Sequence, residues 1–215
     1  MTVNLITLTE PRSGAAEAYR TLRTNIMFSS VEKPITTLLV TSAAASEDKS
    51  ITVANLAVTL AQSGARTILV DADLRRPAQH TIWGIDNSRG LSAMMLDDST
   101  LASPPLIATS VDNLSVLPSG ALPPVPSDVL SSQRMTEIIV VLKARASFIL
   151  FDAPPVLAAT DATILGTKVD AVVLVARAGA ARRDQLARAA QMLKRVNVRF
   201  LGVVLTNAPR EMKAY

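Results

Sequence analysis

The chain has no cysteine and a single histidine among its 215 residues. Disulfides and thiolate metal sites are therefore excluded, and His80 alone gives no basis for a histidine-rich zinc site or a Ser-His-Asp triad. Aromatic residues make up 3% of the sequence, which leaves little surface for stacking nucleic-acid bases. Long apolar runs are also missing. The stretch from Ala171 to Ala176 is far shorter than the roughly 20 residues needed to span a bilayer, and the N-terminus lacks the charged-then-apolar order of a secretory signal. The expectation is a soluble, cytoplasmic chain whose chemistry comes from carboxylates, hydroxyls, lysines and arginines.

Almost half of the residues, 49%, are hydrophobic and 19% are charged, a balance suited to a core of aliphatic side chains between helices and buried strands. No linker-like stretch divides the chain, so residues 1–215 are expected to form one domain. The net charge is +4, with arginines clustered at Arg75-Arg76, at Arg182-Arg183 and between Arg188 and Arg199. Such patches can meet nucleic acid, anionic lipid or an acidic partner; with few aromatics, nucleic acid is not expected.

Residues 1–30 read as an extended arm, MTVNLITLTEPRS, followed by a helix, AAEAYRTLRTNIMFSS. From Ile35 onward strand, turn and helix alternate. ITTLLVTS, RTILVDAD, SFILFD, AVVLVARA and RFLGVVLT read as strands; SITVANLAVTLAQSGA and RRDQLARAAQMLKRV read as helices, the first closed by Gly64. A helix pair is expected from Ser127 to Arg145, whereas the proline-broken region between His80 and Pro126 allows several tracings. The alternation predicts an α/β fold, a mostly parallel central sheet with helices on both faces.

TSAAASEDKS, residues 41–50, lies between the first strand and its helix and ends in Lys49-Ser50. A phosphate-binding loop needs a tight strand-to-helix turn whose N–H groups face the phosphates, a lysine for the β and γ phosphates and a hydroxyl for Mg²⁺. The same residues would also suit an ordinary polar helix N-terminus, with Ser46 as cap and Glu47 and Asp48 favoured by the helix dipole. Two acidic strand ends favour the first reading. Asp71 and Asp73 close one strand in ILVDADLRRP, and Asp152 closes another in FILFDAPP. Carboxyl ends of parallel strands face the ligand crevice of an open sheet.

The segments EAYRTLRTNI, LLVTSAAASEDKS, ILVDADLRRP, LPSGALPPVPSDVL and FILFDAPPVLAATDA resemble, in order and spacing, the cytoplasmic domain of bacterial tyrosine kinases, P-loop autokinases that regulate capsular and exopolysaccharide synthesis. The resemblance runs from about Leu5 to Pro209. It implies a P-loop NTPase with a deviant Walker A loop (the SIMIBI class) that uses ATP and Mg²⁺. Carried over by position, it places nucleotide contacts at Ala45, Ser46, Glu47, Asp48, Lys49, Ser50, Ile51 and Asn207. Catalytic roles fall on Lys49, Asp71 and Asp73, and metal contacts on Ser50, Asp71 and Asp152. Glu17, Arg20 and Arg23 match the Glu-x-x-Arg-x-x-Arg helix through which the family forms rings, and Tyr215 is the expected autophosphorylation site. The family also implies a transmembrane adaptor of the polysaccharide co-polymerase type that recruits the chain to the inner face of the membrane. Ala44 stands where DNA-partitioning relatives of the ParA and MinD type have a further lysine, which argues against that reading.

Four positions depart from the family. Ser46 and Asp48 replace glycines at places where the backbone approaches phosphate and φ can be positive. A carboxylate about 4 Å from a phosphate charge, at an effective dielectric near 20, would cost about 4 kcal/mol, or roughly a thousandfold in affinity. Ile51 replaces a hydroxyl residue, Thr206 stands where an asparagine is common, and only one tyrosine lies in the tail. Two functions are therefore expected to compete: a working autokinase, or a pseudokinase retained as an oligomeric scaffold.

Overall fold

A computed structural model describes residues 4–45 and 47–208. Seven strands form one sheet: β1 (Thr37–Ser42), β2 (Thr67–Asp71), β3 (Ile107–Ala108), β4 (Leu114–Leu117), β5 (Phe148–Asp152), β6 (Ala171–Arg177) and β7 (Phe200–Thr206), in the order β3-β4-β2-β5-β1-β6-β7. All neighbours are parallel except the short edge pair β3 and β4.

Successive strand residues point to opposite faces, and the aliphatic runs feed two cores. Leu39, Ile68, Val70, Ile149, Phe151 and Leu174 face one core. That face is covered by α5 (Leu91–Leu96), α7 (Pro126–Ser131), α8 (Gln133–Lys143), α9 (Asp161–Gly166) and α10 (Arg183–Arg195). Leu38, Val40, Leu69, Leu150, Val173 and Val175 face the other, beneath α2 (Gly14–Ser29), α3 (Lys49–Gln62) and α4 (Gln79–Trp83). Helix α3 is buried over ten consecutive residues from Thr52 to Ala61, because it lies between the sheet and α2.

The N-terminal arm is not wholly extended: α1 (Ile6–Thr9) makes one turn that buries Leu5 and docks Thr7, whose N–H and hydroxyl both donate to Asn55 Oδ1 of α3. The region from His80 to Pro126 resolves into α4, α5, α6 (Asp98–Ala102), β3 and β4. Strand order sets the site. β1 lies between β5 and β6, β2 lies on the other side of β5, and Asp71 pairs in register with Asp152.

Candidate active site

The loop after β1 delivers Lys49 to the carboxyl ends of β2 and β5. Lys49 Nζ donates to Asp73 Oδ2 at 2.8 Å, to Asp152 Oδ1 at 2.9 Å and to Ser50 Oγ at 3.2 Å. Burial by itself would lower the lysine pKa; the charges of Asp152 and Asp73 outweigh it and hold the ammonium above its ordinary value.

The other carboxylate oxygens are largely spoken for. Asp73 Oδ1 accepts from the N–H groups of Arg75 and Arg76, and Asp152 Oδ2 accepts from Gln79 Nε2 at 2.7 Å. Asp71 Oδ2 accepts from the Ala78 and Gln79 N–H groups. Among the described residues, Asp71 Oδ1 is buried and has no hydrogen-bond partner. Burial, then the neighbouring Asp152 charge, pushes the Asp71 carboxyl up to about 8.

A cavity of about 300 Å³ opens above this cluster, with Ala45, Glu47, Asp48, Lys49, Ser50 and Ile51 in its wall. Ser46 lies outside the described residues. Asn207, at the end of β7, lines a separate groove of about 570 Å³ between that strand and α2, opposite Tyr19. Among the described residues no three carboxylate or imidazole groups form a ready metal cage. A Mg²⁺ ion fits the set nonetheless, because it keeps several waters and takes one or two carboxylates with substrate phosphates. The Ser50 hydroxyl and the uncommitted Asp71 oxygen are groups of that kind.

Comparisons with known proteins bear on the family of the chain. A ParA family profile, described as NUBPL iron-transfer P-loop NTPase, matches residues 34–209. Tyrosine-protein kinase YwqD of Bacillus subtilis is 41% identical over 202 residues, covering 94% of this chain and 85% of that protein. The chain belongs to the bacterial tyrosine-protein kinase family of P-loop NTPases. Tyrosine-protein kinase wzc of Salmonella typhi is 31% identical over 98% of this chain, which spans 29% of that longer protein. The crystal structure of the chimerical protein CapA2B2 superposes with a TM-score of 0.90 at 32% identity, covering 97% of this chain and 93% of that one. The kinase domain of Escherichia coli tyrosine kinase ETK superposes with the same TM-score at 28% identity, covering 100% of this chain and 84% of that one. A Mg-ADP complex of MinD from Pyrococcus horikoshii, at 24% identity and a TM-score of 0.66 over 79% of this chain and 69% of that one, shares the fold.

The relatives lend no support to the pseudokinase alternative, and the loop shows how Asp48 is accommodated in this nucleotide-free structure. Asp48 adopts φ 59 and ψ 21, the left-handed conformation for which glycine is usual and which aspartate tolerates better than most residues. Its carboxylate is engaged by Arg177 at 3.1 Å. Glu47 is not a solvent-facing partner of the helix dipole; it is buried, and its Oε2 accepts the Ala43 N–H at 3.1 Å.

Other expected residues sit apart from the cluster. Glu17 and Arg20 pair with each other at 2.7 Å on the exposed side of α2. Arg23 turns the opposite way and donates to the Thr59 carbonyl of α3 at 2.9 Å. Arg75, near the acidic loop, spends its guanidinium on the fully buried Asp161, through bonds of 2.9 and 3.0 Å. Tyr215 lies outside the described residues. Sequence reasoning gave no role to Gln79, Asp161 or Arg177. Gln79 is uncharged and belongs to no phosphate motif, yet it donates to Asp152 and to the Ser50 carbonyl while accepting from Trp83 Nε1.

Proposed function

We propose that the chain transfers a phosphoryl group from ATP to tyrosine, its own Tyr215 among the acceptors, and so regulates capsular or exopolysaccharide synthesis. The observation that carries the reading is Lys49 held between Asp73 and Asp152 below a loop cavity, with one Asp71 oxygen uncommitted beside them. Phosphoryl transfer asks a protein mainly for positioning and charge neutralisation, and this cluster is built from such parts. Lys49 exchanges its two carboxylates for phosphate oxygens when nucleotide arrives. The N–H groups at the start of α3 face the same anion. Asp71 Oδ1 accepts the hydrogen of the incoming tyrosine hydroxyl or orients it, and Asp73, fixed by two backbone N–H groups, keeps the acceptor side anionic. Ser50, Asp71 and Asp152 would hold a magnesium ion, which supplies charge neutralisation at the phosphates. In the same reading Asn207 reaches the base from the end of β7. Rings form through Glu17, Arg20 and Arg23, and a transmembrane adaptor brings the chain to the inner membrane face.

The test is incorporation of labelled phosphate from ATP and Mg²⁺ into the purified chain, with mapping by mass spectrometry. Phosphotyrosine at Tyr215, abolished in Lys49→Met and in Asp71→Asn, is the expected result. Absence of phosphotyrosine from the parent chain, with an added tyrosine peptide also unmodified, overturns the assignment.

A further inference from the structure

Asp48 puts a negative charge into a loop that must hold phosphate. Its side chain shares the cavity wall with Lys49 and Ser50, so an unrestrained carboxylate there could turn toward the same space. It is restrained by Arg177, whose Nη1 donates to Asp48 Oδ1 at 3.1 Å. The sequence logic leads to the pair. β6 runs beside β1, with Val175 in register with Ser42 where the loop begins, so Arg177, the last residue of β6, stands two residues beyond the end of β1, level with the loop. It is not among the residues that line the phosphate cavity. The guanidinium therefore meets the carboxylate from the end of β6 without itself entering the cavity wall.

We propose that Arg177 is a positioning residue that neutralises and withdraws the Asp48 carboxylate, so that a loop with aspartate in place of glycine can serve as a phosphate cradle. The inference rests on the nucleotide-binding reading above. Its physical content is a cancellation of fields. A lone carboxylate repels phosphate over several ångströms, whereas a carboxylate and a guanidinium in contact present little net charge at the same distance. With the two side chains 36% and 42% exposed, solvent screens the effect, and about a tenfold change in affinity is the expected size.

Arg177 acts through Asp48, and that separates it from a residue that touches nucleotide. Dissociation constants for MgADP and for a non-hydrolysable ATP analogue with Mg²⁺ are measured by calorimetry on the parent chain, Arg177→Ala, Arg177→Lys, Asp48→Asn and the double variant Asp48→Asn with Arg177→Ala. Asparagine suits the left-handed backbone and removes only the charge. Arg177→Ala should weaken binding about tenfold in the parent background and less than threefold in the Asp48→Asn background. Arg177→Lys should stay within about threefold of the parent, and the Arg177→Ala penalty should shrink at 0.5 M salt, on the order expected from screening. Thermal unfolding of each variant confirms that all are folded. An equal loss in both backgrounds would assign Arg177 to direct nucleotide contact, and no loss in either would leave the pair without a role; each overturns the inference. If only Asp48→Asn binds nucleotide, the cradle reading stands and the neutralisation by Arg177 is refuted. If neither the parent nor Asp48→Asn binds, the nucleotide-binding reading itself falls and takes this inference with it.

Discussion

Lys49 is held by two aspartates that are nearly out of solvent, with 4% and 0% of their side chains exposed. Removing the ammonium strands both charges, and breaking a buried pair costs on the order of 3 kcal/mol. Lys49→Met is therefore expected to lose stability by about that amount at pH 7.5 in urea unfolding, and an unchanged urea midpoint would contradict the buried-pair argument. Asp71 carries a pH dependence. Its folded pKa of about 8 stands above the ordinary 3.8, so between these values the folded chain binds a proton that the unfolded chain does not. The contribution of Asp71 is fully present below the unfolded pKa and is lost as pH rises through the folded one. In the nucleotide-free protein, Asp71→Asn keeps an oxygen for the Ala78 and Gln79 N–H groups and removes this dependence. At pH 8.5 the variant should melt about 2–4 °C above the parent, about 1 kcal/mol for a domain of this size, while phosphotransfer is lost. A variant that melts lower at that pH would contradict the burial argument.

Elements carry the parts of the site that motifs did not announce. The acidic strand ends and the loop lysine were legible because charge at the end of an apolar run is conspicuous. Gln79 was not, since its importance comes from α4 being laid across the ends of β2 and β5, a tertiary fact with no local signature. Arg177 was hidden for the same reason: only the adjacency of β1 and β6 brings it to Asp48. The proline-broken region was illegible locally but is tightly specified by packing. Gly90, just before α5, approaches the loop after β4 so closely that an added Cβ would lie 2.0 Å from the Pro118 carbonyl oxygen. Gly120, in that loop, has φ +74, and a Cβ there would lie 2.4 Å from Ser92 Oγ. The two segments are joined by the Leu91 N–H donating to the Pro118 carbonyl and the Ser92 N–H donating to the Ser119 carbonyl. Gly90→Ala should force these segments apart and destabilise by about 3 kcal/mol, read as an earlier midpoint in urea. An unchanged midpoint would show that the contact has room to relax.

At the scale of the whole molecule, the α/β class and the helices on both faces followed from alternation of apolar strand and helix patterns. The strand order did not, because nothing in a strand names its neighbour. The same limit applies to assembly. Helix α2 carries the three residues expected from the sequence at a contact between copies, Glu17, Arg20 and Arg23, and the structure divides them. Arg23 holds α2 to α3 through the Thr59 carbonyl, so its removal disturbs the fold of one chain as well as any contact between chains. Glu17 and Arg20 form an exposed pair within one helix, and such pairs contribute at most about 1 kcal/mol to stability. Arg20 also donates to the Pro11 carbonyl, so only an effect larger than these two exposed contacts account for must come from association. Reversing Glu17 to arginine and Arg20 to glutamate together preserves the pair within a helix but reverses both charges toward a partner. Sedimentation velocity with MgADP should show assembly of the parent chain, loss of assembly in the double reversal, and melting temperatures within about 2 °C of each other, as expected for a change well under 1 kcal/mol. Equal assembly by the parent and the reversed chain would remove these two side chains from the interface, leaving α2 as a helix that serves its own fold.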